Sequence, residues 1–125
     1  MRILKLLIVI NILSFISCTK TNINNDLIGV WVFSNSENGV HEYNKVSNFI
    51  VNESGIEFKK NGKVVKRQNV SFCGTPPVTY DNYPGSWTRI SDNSIAISYE
   101  YWGGSVNQNW KIVDLTDQKL KIKIE

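Results

Sequence analysis

Few residues in this chain are equipped for chemistry. Its 125 residues hold two cysteines, Cys18 and Cys73, and one histidine, His41. A structural zinc site needs about four such ligands, so no metal centre is expected. Cys73 beside Gly74 could be drawn with His41 as a nucleophile–base pair, but nothing in the spacing brings the two together. A small unreactive hydrophobe at a strand end accounts for Cys73 equally. Glu37, Glu42, Glu53, Glu57 and Glu100 offer the paired carboxylates that glycoside hydrolysis uses. Each lies beside a turn signal or on the polar side of an alternating run, where solvated glutamates belong. Gly103-Gly104 precedes no helical pattern and makes no phosphate cradle. No catalytic residue and no cofactor is expected, and the chain reads as a non-enzyme.

Residues suited to binding are more plentiful. Tyr80, Tyr83, Trp87, Tyr99, Tyr101 and Trp102 fall within one short stretch. They can stack on sugar rings or line an apolar pocket, and they can equally be core. Lys59, Lys60, Lys63, Lys66 and Arg67 flank Asn61-Gly62. That cluster suits anionic headgroups or acidic polysaccharide, or simply guards a sheet edge. Nucleic acid is not an expected partner. The 14 basic residues include Arg2 and Lys5 of a leader segment, so the rest nearly balances the 11 acidic ones.

The leader reads MRILKLLIVINILSFISC, with a basic start and an apolar run from Leu6 to Ile16. That run is well short of the roughly 20 residues that span a bilayer and fits an export signal. Ser17-Cys18 after an apolar run, followed by polar Thr19-Lys20-Thr21-Asn22, resembles the lipobox of bacterial lipoproteins. The resemblance implies cleavage after Ser17 and acylation of Cys18, tethering the protein to a membrane of the cell envelope. Surface-displayed lipoproteins of Bacteroidetes-type bacteria often carry acidic residues just after the cysteine, whereas this tether carries only Lys20 and Asp26 as charges, so the resemblance implies the periplasmic side over the cell surface. An ordinary secretory signal with a Cys18–Cys73 disulfide is the alternative, and the two exclude each other. Residues 1–17 are thus read as signal, 18–26 as tether and 27–125 as the folded domain, about enough for one core.

From Leu27 onward the apolar residues recur every second position. Leu120-Lys121-Ile122-Lys123-Ile124 is the clearest case, and Ile95, Ile97, Tyr99 and Tyr101 alternate with Ala96, Ser98 and Glu100. Such runs make antiparallel strands wet on one side. Leu27–Phe33 is apolar at both parities, which predicts a strand covered on both faces. Asn38-Gly39, Glu53-Ser54-Gly55, Asn61-Gly62, Asp92-Asn93, Gly103-Gly104 and Thr116-Asp117-Gln118 punctuate the runs at hairpin spacing. Asn61-Gly62 suggests a type I′ turn. Gly74–Gly85, holding all three prolines, reads as one irregular connection. The expected fold is all-β, an antiparallel up-and-down β-barrel of about eight strands whose last strand closes on its first.

Leu27-Ile28-Gly29-Val30-Trp31 resembles the Leu-x-Gly-x-Trp opening of lipocalin-like domains. Phe72-Cys73-Gly74-Thr75-Pro76-Pro77, Gly85-Ser86-Trp87, Tyr101-Trp102-Gly103-Gly104 and the ending from Trp110 to Ile124 are similar to small lipocalin-like lipoproteins of Bacteroidetes-type bacteria. The resemblance implies a barrel plugged at one end by Trp31 and able to hold a small apolar or amphipathic ligand. Trp31, Phe58, Tyr99, Trp110 and Ile122 would line or plug that interior. An eight-stranded barrel is only just wide enough for its own side chains or one small ligand. A packed barrel binding glycan or protein is therefore the competing reading. Its contacts would come from Tyr80, Tyr83, Trp102, Lys59, Lys60 and Lys63.

Overall fold

The computed structural model describes residues 26–70 and 78–125. The signal segment, Cys18, most of the tether and Cys73 lie outside the described residues. Eight strands follow one another: β1 (Gly29–Glu37), β2 (Val40–Val46), β3 (Gly55–Phe58), β4 (Lys63–Asn69), β5 (Tyr80–Ser91), β6 (Ser94–Tyr101), β7 (Gly104–Leu115) and β8 (Lys119–Ile124). All neighbours are antiparallel, and the sheet closes on itself in the order β1-β2-β8-β7-β6-β5-β4-β3. The closed all-β barrel is the architecture that the alternating pattern demands.

The order of the first three strands departs from a simple meander. β1 lies between β2 and β3, pairing Trp31 with Lys45 on one side and with Ile56 on the other. The last strand meets β2, not β1, through His41–Ile122 and Tyr43–Leu120. The reason lies in β1 itself. Trp31 faces inward, so Val30 and Val32 face outward, yet both are buried. Their cover is the 47–54 connection, which crosses the outside of β1. A side chain on Gly55 would meet the Phe49 ring at 3.2 Å, placing Phe49 against the outer face beside Val32. A strand apolar at both parities needs burial on both faces, and this crossover supplies the outer half.

Two further expectations shift. The β1–β2 hairpin has Asn38 and Gly39 both at positive φ, 52° and 79°, as a type I′ turn requires. At the β3–β4 hairpin only Gly62 is left-handed. Gly62 N–H donates to Lys59 O at 3.2 Å and Lys59 N–H to Lys63 O at 2.9 Å, a type I turn closed by a glycine bulge. The Pro-rich stretch is not wholly irregular, since Tyr80–Gly85 belongs to β5 and pairs with β4. Pro84 is tolerated because pairing of β5 with β6 starts only at Gly85–Tyr99, so its missing N–H deprives no neighbour.

The inner faces close over a continuous apolar core. Leu27, Trp31, Ile56, Phe58, Val64, Trp87, Ile95, Ile97, Trp110, Leu120 and Ile122 are all buried within it. The rings interlock: Phe58 meets Trp87 edge-on at 5.6 Å and Trp110 at 6.2 Å, and Trp110 stacks on Tyr43 at 5.8 Å. Burying each such side chain stabilises the fold by roughly 1.5–3 kcal/mol. Leu27 and Trp31 plug one end, where the Trp31 indole N–H donates to Leu27 O at 2.8 Å.

Candidate functional site

The barrel has two unlike ends. At the plugged end the inward positions are mostly apolar; the exceptions are Arg89, exposed at the end of β5, and Lys45, whose ammonium lies over the Trp31 ring. Toward the opposite rim the same inward parity carries polar groups. On β4, Val64 faces in, and so therefore do Lys66 and Gln68. The ladder Ile56–Lys66–Tyr83 and the pair Gln68–Asp81 bring Tyr83 and Asp81 to the same side. From β6 come Tyr99, buried, and Tyr101, half-buried. From β2 comes Tyr43, and from β1 Phe33, whose ring meets Tyr43 at 5.7 Å and His41 at 6.2 Å. The rim therefore presents tyrosines, an amide and one lysine around a polar patch above the packed core.

Lys66 is the most unusual of these residues. Its Nζ donates to the backbone carbonyls of Gly55 and Arg67, both at 3.4 Å. Among the described residues no carboxylate lies within salt-bridge distance of it, whereas Lys119 and Lys121 both share Glu42, at 3.2 and 4.0 Å. Burial pulls its ammonium down to about 8. Above it the Tyr99 hydroxyl lies 3.5 Å from Gln68 Oε1, a long contact. Burial drives the Tyr43 and Tyr99 phenols upward, so both remain neutral O–H groups through the physiological range.

A second feature lies on the outside. Asn35, Glu37, Asn38, Val40, Glu42, Val113 and Lys121 line a groove of about 400 Å³. It is flanked by two irregularities, between Phe33 and Asn35 in β1 and between Ile112 and Asp114 in β7. Bulges bend the strands there and give the groove its concavity. Glu37 and Glu42 share it, while Glu57 and Glu100 lie on outward positions of β3 and β6 and Glu53 in the crossover. Glu42 spends both oxygens on lysines. His41 is on the inner side, across β2 from Ile122. Among the described residues no three His, Cys, Asp or Glu side chains gather.

The residues expected to line the interior all stand inside the barrel. Trp31, Phe58, Tyr99, Trp110 and Ile122 are none more than 7% exposed and pack on one another. They fill the barrel as core. The residues of the competing surface reading do not gather into one patch. Lys59, Lys60 and Lys63 sit at the plugged end of β4, and Tyr80 pairs with Asn69 at its rim end, six strand residues or roughly 20 Å away. Tyr80 instead lies under the Arg67 guanidinium at 5.6 Å. Tyr83 points inward, half-buried against the core, and only Trp102, 63% exposed, stands at the surface near the rim. Lys66, grouped by sequence with the basic hairpin, belongs to the inside. The signal was present: in Lys63-Val64-Val65-Lys66-Arg67-Gln68 the even positions continue the parity of Ile56 and Phe58. The Val64-Val65 pair hides which parity is inner.

No curated protein and no solved structure matches the chain. A family model does, described as a lipocalin-like domain and matching residues 27–122. That span runs from the Leu27 plug through Ile122 of the closing strand, the whole of the barrel but its last residues. The chain therefore belongs to the lipocalin-like domain family.

Proposed function

We propose that this is an exported, lipid-anchored binding protein that takes a small amphipathic molecule at the rim of its barrel. One observation carries the reading: a buried apolar cluster fills the barrel from Leu27 up to Trp110, and above it the inner face turns polar and aromatic at Lys66, Gln68, Tyr83 and Tyr99. A ligand for such a site is shallowly seated, with its body among Tyr83, Tyr101 and Val106, which are only half-buried. The deep barrel serves as scaffold, where Trp31, Phe58, Trp110 and Ile122 belong, while Tyr99 carries its hydroxyl to the rim. Acylation at Cys18 would hold the domain at a membrane of the envelope, favouring the periplasmic face, with residues 18–26 as a short tether.

Membership of the lipocalin-like family supports a non-enzymatic role. The exposed Trp102 favours a second reading, contact with a glycan or protein at the same rim. Nuclear magnetic resonance of the uniformly labelled domain separates them. Small amphiphiles should shift amides of Lys66, Gln68, Tyr83 and Tyr99. Shifts confined to Trp102 with added oligosaccharide, and none with amphiphiles, would replace the first reading by the second. Intact mass tests the anchor: an acylated species beginning at Cys18 is expected, and an unacylated mature chain rejects it.

A further inference from the structure

Resting on the rim reading, we infer that the ligand is a carboxylate, anchored by the Lys66 ammonium with the Tyr99 hydroxyl as second donor. The first support is placement. Register fixes Lys66 on the inner face, between Ile56 of β3 and Tyr83 of β5. An apolar side chain would fill that position with no polar head to desolvate. An ammonium turned inward without a counter-ion is costly, and native interiors ordinarily supply one. Here the fold supplies only two carbonyl oxygens, both at 3.4 Å and so beyond the usual N–H···O range. Asp81, the one inward carboxylate near it by register, sits beside Gln68 at an exposed position and makes no ion pair with it.

The second support is the company Lys66 keeps. Register puts Tyr83 and Asp81 of β5, Tyr99 and Tyr101 of β6 and Tyr43, His41 and Lys45 of β2 on the same inner face, Lys45 being turned onto the Trp31 ring; β1 and β3 offer only apolar groups, Trp31, Phe33 and Ile56. Tyr99 and Tyr43 stay protonated, so they add donors and no negative charge. The Tyr99 hydroxyl makes only a 3.5 Å contact to Gln68 and can turn to an incoming oxygen. One ammonium and neutral O–H donors suit a monoanion. A dianionic phosphate would need a second cation beside Lys66, but Lys45 is held over the Trp31 ring at the plug and the neighbouring Arg67 points to the opposite side, against Asn82 and Tyr80. Half-buried Tyr83, Tyr101 and Val106 supply the apolar surface for a short aliphatic or aromatic body.

The test compares octanoate with 1-octanol by isothermal titration of the whole domain, using wild type, K66M and K63M. Lys63 is on the same strand but faces out, so K63M is the control. Octanoate should bind wild type and K63M at least tenfold more tightly than octanol, and K66M should lose that preference while still taking octanol. Octanoate affinity should also fall as pH rises past 8. Equal binding of acid and alcohol by wild type overturns the carboxylate and leaves the rim reading intact. A preference that survives in K66M overturns Lys66 as the anchor. If neither probe binds any variant, the rim reading itself falls and takes the inference with it.

Discussion

The Lys45 ammonium lies over the Trp31 indole, 5.3 Å from the ring centroid. Trp31 and Lys45 are register partners on β1 and β2, so the cation is held there by the ladder. Its chain passes so close to Gly29 that a Cβ there would meet Lys45 Cε at 2.8 Å. Glycine at φ +134° is needed there for conformation, whereas the flexible end of Lys45 could move aside for a side chain. Lys45→Met should cost about 0.5–2 kcal/mol, the range of a cation on an aromatic face. Trp31→Ala, which empties the plug, should cost about 3–5 kcal/mol. Urea denaturation at fixed pH measures both, and equal costs would show that the plug is not a core element.

Gly55 is a second tight place. A Cβ there would come within 2.5 Å of the Trp31 carbonyl and press on Phe49. Gly55→Ala should destabilise by about 1–3 kcal/mol, as overpacking does. Phe49→Ala, which opens the outer face beside Val32, should also destabilise, and should increase binding of a hydrophobic dye. An unchanged Phe49→Ala protein would mean that the crossover leaves the outer face of β1 uncovered.

Lys66 makes stability depend on pH in a recognisable window. Its folded value, about 8, is below that of the free side chain. Below pH 8 the ammonium is present in both states and the folded state bears the full burial cost. From 8 to about 10.4 the unfolded chain holds the extra proton, so this group's contribution rises with pH. Lys66→Met should therefore be more stable than wild type at pH 7, by up to roughly 3 kcal/mol, with the difference closing near pH 10.5. Comparing the two proteins cancels the tyrosines. A constant difference across that range would place the amine in solvent.

The Glu42 bridges to Lys119 and Lys121 are expected to contribute little. Both lysines are more than a third exposed. Glu42→Gln should cost less than about 1 kcal/mol, and that cost should vanish in molar salt. A larger, salt-resistant loss would show that the carboxylate organises the outer groove.

Much of the strand set was legible, because a half-buried strand advertises itself by alternation. Leu120-Lys121-Ile122-Lys123-Ile124 and the Ile95–Tyr101 run stand where their parity says, and Ile95, Ile97 and Tyr99 face inward. Alternation reports a face and not a neighbour, so nothing in it said that β8 joins β2. The doubly apolar Leu27–Phe33 segment held the clue, since covering its outer side requires chain to pass over it. Prolines misdirected the reading of Tyr80–Gly85, because a proline is compatible with a strand wherever its nitrogen has no partner to serve. The rim was half legible. Tyr99 and Tyr101 followed from parity, while Lys66 was drawn into a basic cluster by its neighbours in sequence. In space β4 sends alternate members of that cluster to opposite sides of the wall.

The placement of β8 between β2 and β7 has a consequence for how the molecule is assembled. The strands nearest the start of the chain can dock early, since β1 gathers β2 and β3 from adjacent sequence. The seam between β2 and β7 stays ajar until β8 is made. A chain lacking its closing strand would be a seven-stranded ribbon with two raw margins, ready to recruit strands from other chains. Completion of the wall thus waits on β8, and removing that strand should promote aggregation more than it loosens the plug.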